Sequence, residues 1–143
     1  MQFEIVPFAS PAYLAVCALR ERVLREPLGL ALTEKDKAKD ADSIIFAMME
    51  KGMPVACLMA DFLASTHVKF RQMAVDTAYQ SQSLGRQLVI AAEAHVVTLG
   101  AQSIELNARA QVSGFYAKLG YAIEGEMFEE IGIPHVKMVK RLR

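Results

Sequence analysis

The chain has 143 residues, 53% of them hydrophobic and 22% charged, and 16 Lys and Arg balance 16 Asp and Glu to a formal net charge of +0. The length fits a single domain over residues 1–143, and the apolar content excludes a disordered chain. Neutrality excludes a broad basic surface for nucleic acid or anionic lipid.

No apolar run reaches the roughly 18 residues that a spanning helix needs. Pro54–Ala60 closes at Asp61, and the stretch from Leu88 to Leu99 is broken by Glu93 and His95. The first basic residue is Arg20, so the start lacks the charged region of a signal peptide, and a cytoplasmic location with no membrane partner is expected. Cys17 and Cys57 have apolar neighbours and fit reduced core thiols. His67, His95 and His135 stand singly, without zinc-ligand spacing, so no metal is expected.

In chain order, residues 2–6 predict a short strand. Pro11–Leu24 has helical spacing behind a candidate Ser10 cap and stops at Pro27. Arg20, Arg22 and Arg25 lie beside Glu21 and Glu26, which reads as ion pairs on a solvated face. From Thr33 to Asp42 the charges alternate in sign, the pattern of a solvated short helix or loop with no assigned chemistry. Ser43–Glu50, Val55–Ala64 and Val68–Val75 predict three antiparallel strands joined by short turns. A polar loop, Asp76–Ser83, leads to a helix from Leu84 to Leu99 that ends at Gly100. Ile104, Leu106 and Ala108 alternate with polar residues as a strand, parallel to its predecessor because a helix intervenes. A short helix from Val112 to Leu119 and a hairpin, Tyr121–Glu129 with His135–Leu142 around Gly132-Ile133-Pro134, complete the chain. The sum is an α/β or α+β fold, a mixed and mostly antiparallel sheet flanked by helices.

The loop Gln80-Ser81-Gln82-Ser83-Leu84-Gly85-Arg86 hands a strand over to a helix N-terminus. First-turn N–H groups there have no intrahelical partner, so phosphate oxygens can be held without many basic side chains. Gly85 permits close approach and Arg86 adds one charge, while Ser81 or Ser83 serves equally as a plain helix cap. The loop lacks both Gly-Lys-Ser/Thr and G-x-G-x-x-G. It resembles the acetyl-CoA pyrophosphate loop of the GNAT superfamily of N-acetyltransferases, Gln/Arg-x-x-Gly-x-Gly/Ala, with Ser83 where the family usually has Gly. Asn107 followed by Phe115-Tyr116-Ala117-Lys118-Leu119-Gly120-Tyr121 is similar to the superfamily's second recurrent segment. The ending Gly132–Met138 looks like that of small bacterial members.

The resemblance implies acetyl transfer from acetyl-CoA, as co-substrate, to a small-molecule or peptide amine by direct attack on the thioester. It implies that Tyr116 protonates the leaving thiolate. It further implies that Met73, Ala74 and Val75 bind the pantetheine arm by backbone groups, and that Gln80 through Arg86 hold the pyrophosphate. Asn107 either contacts the arm or acceptor or caps its strand. Many relatives carry a carboxylate base on the fourth strand, where this chain has Arg71 and Gln72, so Glu105, Glu126, Glu129, His135 or water stay open as the base. A non-catalytic acyl-CoA sensing module of the same fold is the alternative reading, and the homodimers frequent in the superfamily leave the oligomeric state open.

Overall fold

A computed structural model describes residues 1–80 and 83–142. Among the described residues seven strands form one sheet: β1 (Gln2–Ile5), β2 (Ile44–Glu50), β3 (Met53–Ala64), β4 (His67–Val75), β5 (Ser103–Arg109), β6 (Ala122–Glu130) and β7 (Ile133–Arg141), in the order β1-β2-β3-β4-β5-β7-β6. Of these neighbours β4 and β5 pair in parallel, as expected of strands joined by a helical crossover, and the rest are antiparallel.

Helices cover the two faces unequally. Along β2 and β3 the apolar side chains alternate, so one sheet holds two cores. Phe46, Leu58 and Phe70 pack under α3 (Leu84–Thr98), and Ile45, Cys57 and Met59 pack under α1 (Pro11–Arg20). The first core continues across Leu106, Ala108, Val136 and Met138, whereas the α1 core ends at β4. On the α1 side, therefore, β5 to β7 turn a polar row outward.

Ser10 caps α1 by accepting from the Tyr13 N–H at 3.1 Å. The helix does not run on regularly to Leu24: it widens to a π-helical turn at Glu21–Arg25 and tightens at Glu26–Leu28, where Pro27 prevents continuation. The arginines do not pair with Glu21 and Glu26, because adjacent residues on a helix point apart. Arg20 instead meets Asp40 at 2.6 Å, Arg22 meets Asp76 at 2.9 Å, and Arg25 meets Asp36 at 3.1 Å. The alternating-charge segment is thus not wholly solvated. It forms α2 (Glu34–Lys37), boxed by Thr33 and Asp36, and carries Asp40 into full burial, where Tyr13, Arg20 and Arg71 all donate to it.

Two strand details shape the site. Cys57 pairs with Ala74 but Met59 pairs with Arg71, so Leu58 faces two residues of a bulge whose Gln72 has a φ of +56°. The β4–β5 ladder covers only His67–Phe70 against Ser103–Leu106, and beyond it the strands splay.

The closing hairpin turns at Ile131-Gly132, both at positive φ, rather than at Gly132–Pro134. Ile133 and Pro134 therefore belong to β7. The last helix is shorter than its sequence suggests, a single turn α4 (Ser113–Ala117) preceded by a 3-10 turn. No described helix is long and apolar enough to cross a membrane.

Candidate functional site

A cleft of about 580 Å³ opens where β4 and β5 splay. Its floor is the apolar trio Leu58, Phe70 and Leu106. The bulged end of β4 supplies one wall as Met73, Ala74 and Val75, and the start of α3 supplies another as Ser83, Gly85 and Arg86. Asn107 and Arg109 come from β5, Tyr116 from α4, Glu130 and His135 from the hairpin, and Val23–Arg25 from the π-helical turn.

At the α3 entrance, Ser83 sits at the N-cap position with a φ of +61° and makes no side-chain capping bond. The Ser83 side chain therefore does not cap the first-turn amides. Gly85 has a steric reason: a Cβ there would come within 2.8 Å of Met73 Cε and 3.3 Å of Phe115 Cζ. Leu84, by contrast, turns its side chain into the core. Gln80 donates to the carbonyl of Val75 at 2.9 Å and ties the loop to the end of β4. Ser81 and Gln82 lie outside the described residues.

Tyr116 is half-buried among aromatic neighbours, 4.9 Å from Phe115 and 5.8 Å from Tyr121 between ring centroids. Its hydroxyl donates to the Met73 thioether at 3.5 Å. Burial pushes its pKa up to about 12, so the phenol keeps its proton at ordinary pH. Tyr121 plays a structural part, because its hydroxyl donates to Glu93 at 2.8 Å, where Lys140 also donates, fastening β7 and the residue that leads into β6 to α3.

The candidate bases separate cleanly. Glu105 is engaged elsewhere, 2.7 Å from His67 Nε2 and 3.8 Å from Lys137. Glu126 and Glu129 are exposed on β6 and do not line the cleft. His135 does line it, buried, beside Glu130, a residue the sequence gives no reason to prefer over its acidic neighbours. Asn107 donates to Glu130 at 3.3 Å. Among the described residues no cluster of three His, Cys, Asp or Glu side chains suits a metal ion.

A family profile described as an acetyltransferase (GNAT) domain matches residues 31–142. The chain belongs to the GNAT acetyltransferase family. Among curated proteins it is 34% identical over 92 residues to the uncharacterized protein YyaT of Bacillus subtilis, across 64% of this chain and 62% of that one. In two further Bacillus subtilis relatives the match spans about half of their length, 50% and 51%. A crystal structure from Lactobacillus plantarum, assigned provisionally as an N-acetyltransferase, superposes with a TM-score of 0.87 at 27% identity over 100% of both chains. A GNAT acetyltransferase from Elizabethkingia anophelis with acetyl-CoA bound has a TM-score of 0.76 at 14% identity, over 99% of this chain and 97% of that one. These GNAT structures share the mixed, mostly antiparallel sheet with its flanking helices.

Proposed function

We propose that this GNAT protein transfers an acetyl group from acetyl-CoA to a primary amine by direct attack on the thioester, without an acyl-enzyme. The observation that carries the reading is a cleft that joins three features: β4 backbone without a β5 partner, an α3 N-terminus that the Ser83 side chain does not cap, and the protonated Tyr116 hydroxyl.

The residues fit the group. Past Phe70 the edge of β4 has no β5 partner, so backbone groups of Met73–Val75 can meet the two amides of the pantetheine arm, which shares the Val75 carbonyl with Gln80 or displaces it. The α3 amides from Ser83 to Arg86 and the Arg86 guanidinium suit a pyrophosphate, while the missing Cβ of Gly85 lets Met73 and Phe115 close up against the helix start. Bound there, acetyl-CoA supplies an activated acyl carbon and a thiol leaving group.

Tyr116 stays a neutral donor and hydrogen-bonds the departing sulfur, completing proton transfer as the attacking nitrogen sheds its own proton. General-acid help of this kind contributes on the order of 10²-fold to 10⁴-fold in rate. Met73 and Phe115 pack around the phenol and keep water from it.

Thermal unfolding with and without millimolar acetyl-CoA tests binding. A ligand at 100 times its Kd stabilises by about 2.7 kcal/mol, a rise of several degrees for a domain of this size. Free-thiol release across a panel of amines tests transfer. No shift defeats the cofactor reading, and a shift without amine-dependent thiol release leaves a sensing module.

A further inference from the structure

The hairpin side of the cleft is built differently from the α3 side, and its geometry is that of a proton acceptor rather than a thioester cradle. On β5 and β7 successive residues face opposite ways. Leu106, Ala108, Val136 and Met138 face the core, while Asn107 and Arg109 lie across from Lys137 and His135 on the face that α1 leaves uncovered. Glu130, two residues beyond the His135 partner Phe128 on β6, reaches the same face.

The His135 ring is buried at 4% exposure, with Nδ1 2.8 Å from the Ile133 carbonyl. A carbonyl can only accept, so Nδ1 carries the hydrogen, and whenever the ring is neutral its lone pair lies on Nε2, open to the cleft. The nearest carboxylate oxygen, Glu130 Oε2, stands 3.8 Å from Nε2, too far for a direct bond. The other oxygen of Glu130 is occupied by Asn107 at 3.3 Å. An anionic oxygen and an imidazole lone pair, side by side and unbonded, present two acceptors to one incoming donor. A primary ammonium, with three N–H groups on one atom, satisfies both.

Resting on the acetyl-transfer reading, we propose that Glu130 and His135 form the acceptor site, that it takes a primary ammonium group, and that His135 Nε2 removes its proton. Glu130 attracts and orients the cation. Nε2 takes one proton, and the freed nitrogen pair bonds the acyl carbon. The carbon–sulfur pair leaves on sulfur, which takes the Tyr116 proton. The nitrogen's second excess proton returns through water to the phenolate, and the imidazolium releases its proton past half-exposed Glu130 to solvent. One proton is released per amide formed. The charged groups around the ring are Glu130 from β6, Arg109 from β5 and Arg25 from the π-helical turn, the last paired with Asp36 at 3.1 Å, while Lys137 along β7 is paired with Glu124 at 3.1 Å.

His135→Asn tests the proposal, since its amide nitrogen replaces the Nδ1–H donor to Ile133 while the base is lost. For a primary alkylamine such as butylamine or cadaverine at pH 7, kcat/KM should fall about 10²-fold or more, with the acetyl-CoA melting shift retained. For hydroxylamine, already neutral at that pH, the loss should stay below about threefold. The alkylamine deficit should also shrink as pH rises toward the amine's own pKa. Glu130→Gln should raise the alkylamine KM about tenfold with little change in kcat.

Equal losses for both nucleophiles, or no loss, overturn the assignment. Should the Asn variant not fold, His135→Gln and the imidazole nitrogen NMR spectrum of the wild type decide. The spectrum must show Nδ1 protonated and Nε2 bare, and the opposite tautomer overturns the proposal whatever the activity. Failure of the wild type to use any amine, with that tautomer present, instead defeats the transfer reading.

Discussion

The buried guanidinium of Arg20 donates from Nε to Gln72 Oε1 at 3.0 Å, tying the end of α1 to the bulge that aims β4 into the cleft. The same group meets Asp40 at 2.6 Å, so one arginine both neutralises a buried carboxylate and steadies a residue at positive φ. Arg20→Met should therefore cost about 3 kcal/mol by leaving the buried Asp40 with Arg71, at 3.0 Å, in place of two cation partners, and lower the melting temperature by about 10 °C. Arg20→Met with Asp40→Leu should recover much of that loss. Equal melting temperatures for wild type and the single variant would remove the basis for calling this pair structural.

Tyr116→Phe keeps the ring packing and loses the hydroxyl. The expected outcome is a drop in kcat of about 10²-fold with acetyl-CoA binding retained. Because burial raises the phenol pKa to about 12, activity at alkaline pH should show no loss from this group below about pH 11. A pH profile of thiol release for wild type and variant checks both points, and equal rates would exclude the general-acid role.

Gly85→Ala sets a helix gain of up to about 1 kcal/mol against crowding of Met73 and Phe115. The Met73 methyl is the free end of a flexible chain and swings aside cheaply, so stability should change by less than about 1 kcal/mol. The displaced Met73 no longer receives the Tyr116 hydroxyl, and kcat/KM for acetyl-CoA should fall. Adding Met73→Ala should relieve the clash, a coupling of about 0.5 kcal/mol or more in a double-mutant melting cycle.

Ser83→Gly places glycine at a position that already has a φ of +61°. Relief of left-handed strain, about 1–2 kcal/mol, is partly offset by the added freedom of the unfolded chain, about 0.4–1 kcal/mol. The expected outcome is a stability gain of up to about 1 kcal/mol, checked by denaturant titration, with cofactor affinity equal or tighter.

Acid unfolding should follow Asp36 and Asp40. At Asp40 burial by itself raises the pKa, but hydrogen bonds from Tyr13, Arg20 and Arg71 outweigh it and hold the carboxyl below its usual 3.8; at Asp36 burial is likewise outweighed by Arg25 and Thr33. A depressed folded pKa gives stability that is present above the unfolded value and lost as pH falls through the folded one. Melting temperature should thus hold from neutrality to about pH 5 and fall steeply below about pH 4.

Alternation and turn residues make the strand succession readable: β2, β3 and β4 appear as three apolar runs, and Gly100 and Gly120 mark helix ends. The insertion of β7 between β5 and β6 is less legible, because pairing partners leave no local mark in an exposed strand such as β6. Within the site, Tyr116 and the loop at Gly85 stand in recognisable segments. Glu130 does not, since only the tight turn at Ile131-Gly132 decides which of several glutamates reaches Asn107. Asp40 reads as solvated because a charge run says nothing of an arginine twenty residues earlier that folds back to meet it.

The uneven coverage of the sheet divides labour within single strands. Along β5 and β7 every second residue answers to the core under α3, and of the residues between them Asn107, Arg109 and His135 line the cleft. Asn107, Arg109, His135 and Lys137 can therefore be exchanged without repacking Leu106, Ala108, Val136 or Met138. On the proposed reading, acceptor preference can shift through these cleft residues while that core stays packed, whereas the Arg20–Asp40 anchor and the aromatic wall around Tyr116 are each held by several partners and change only together with them.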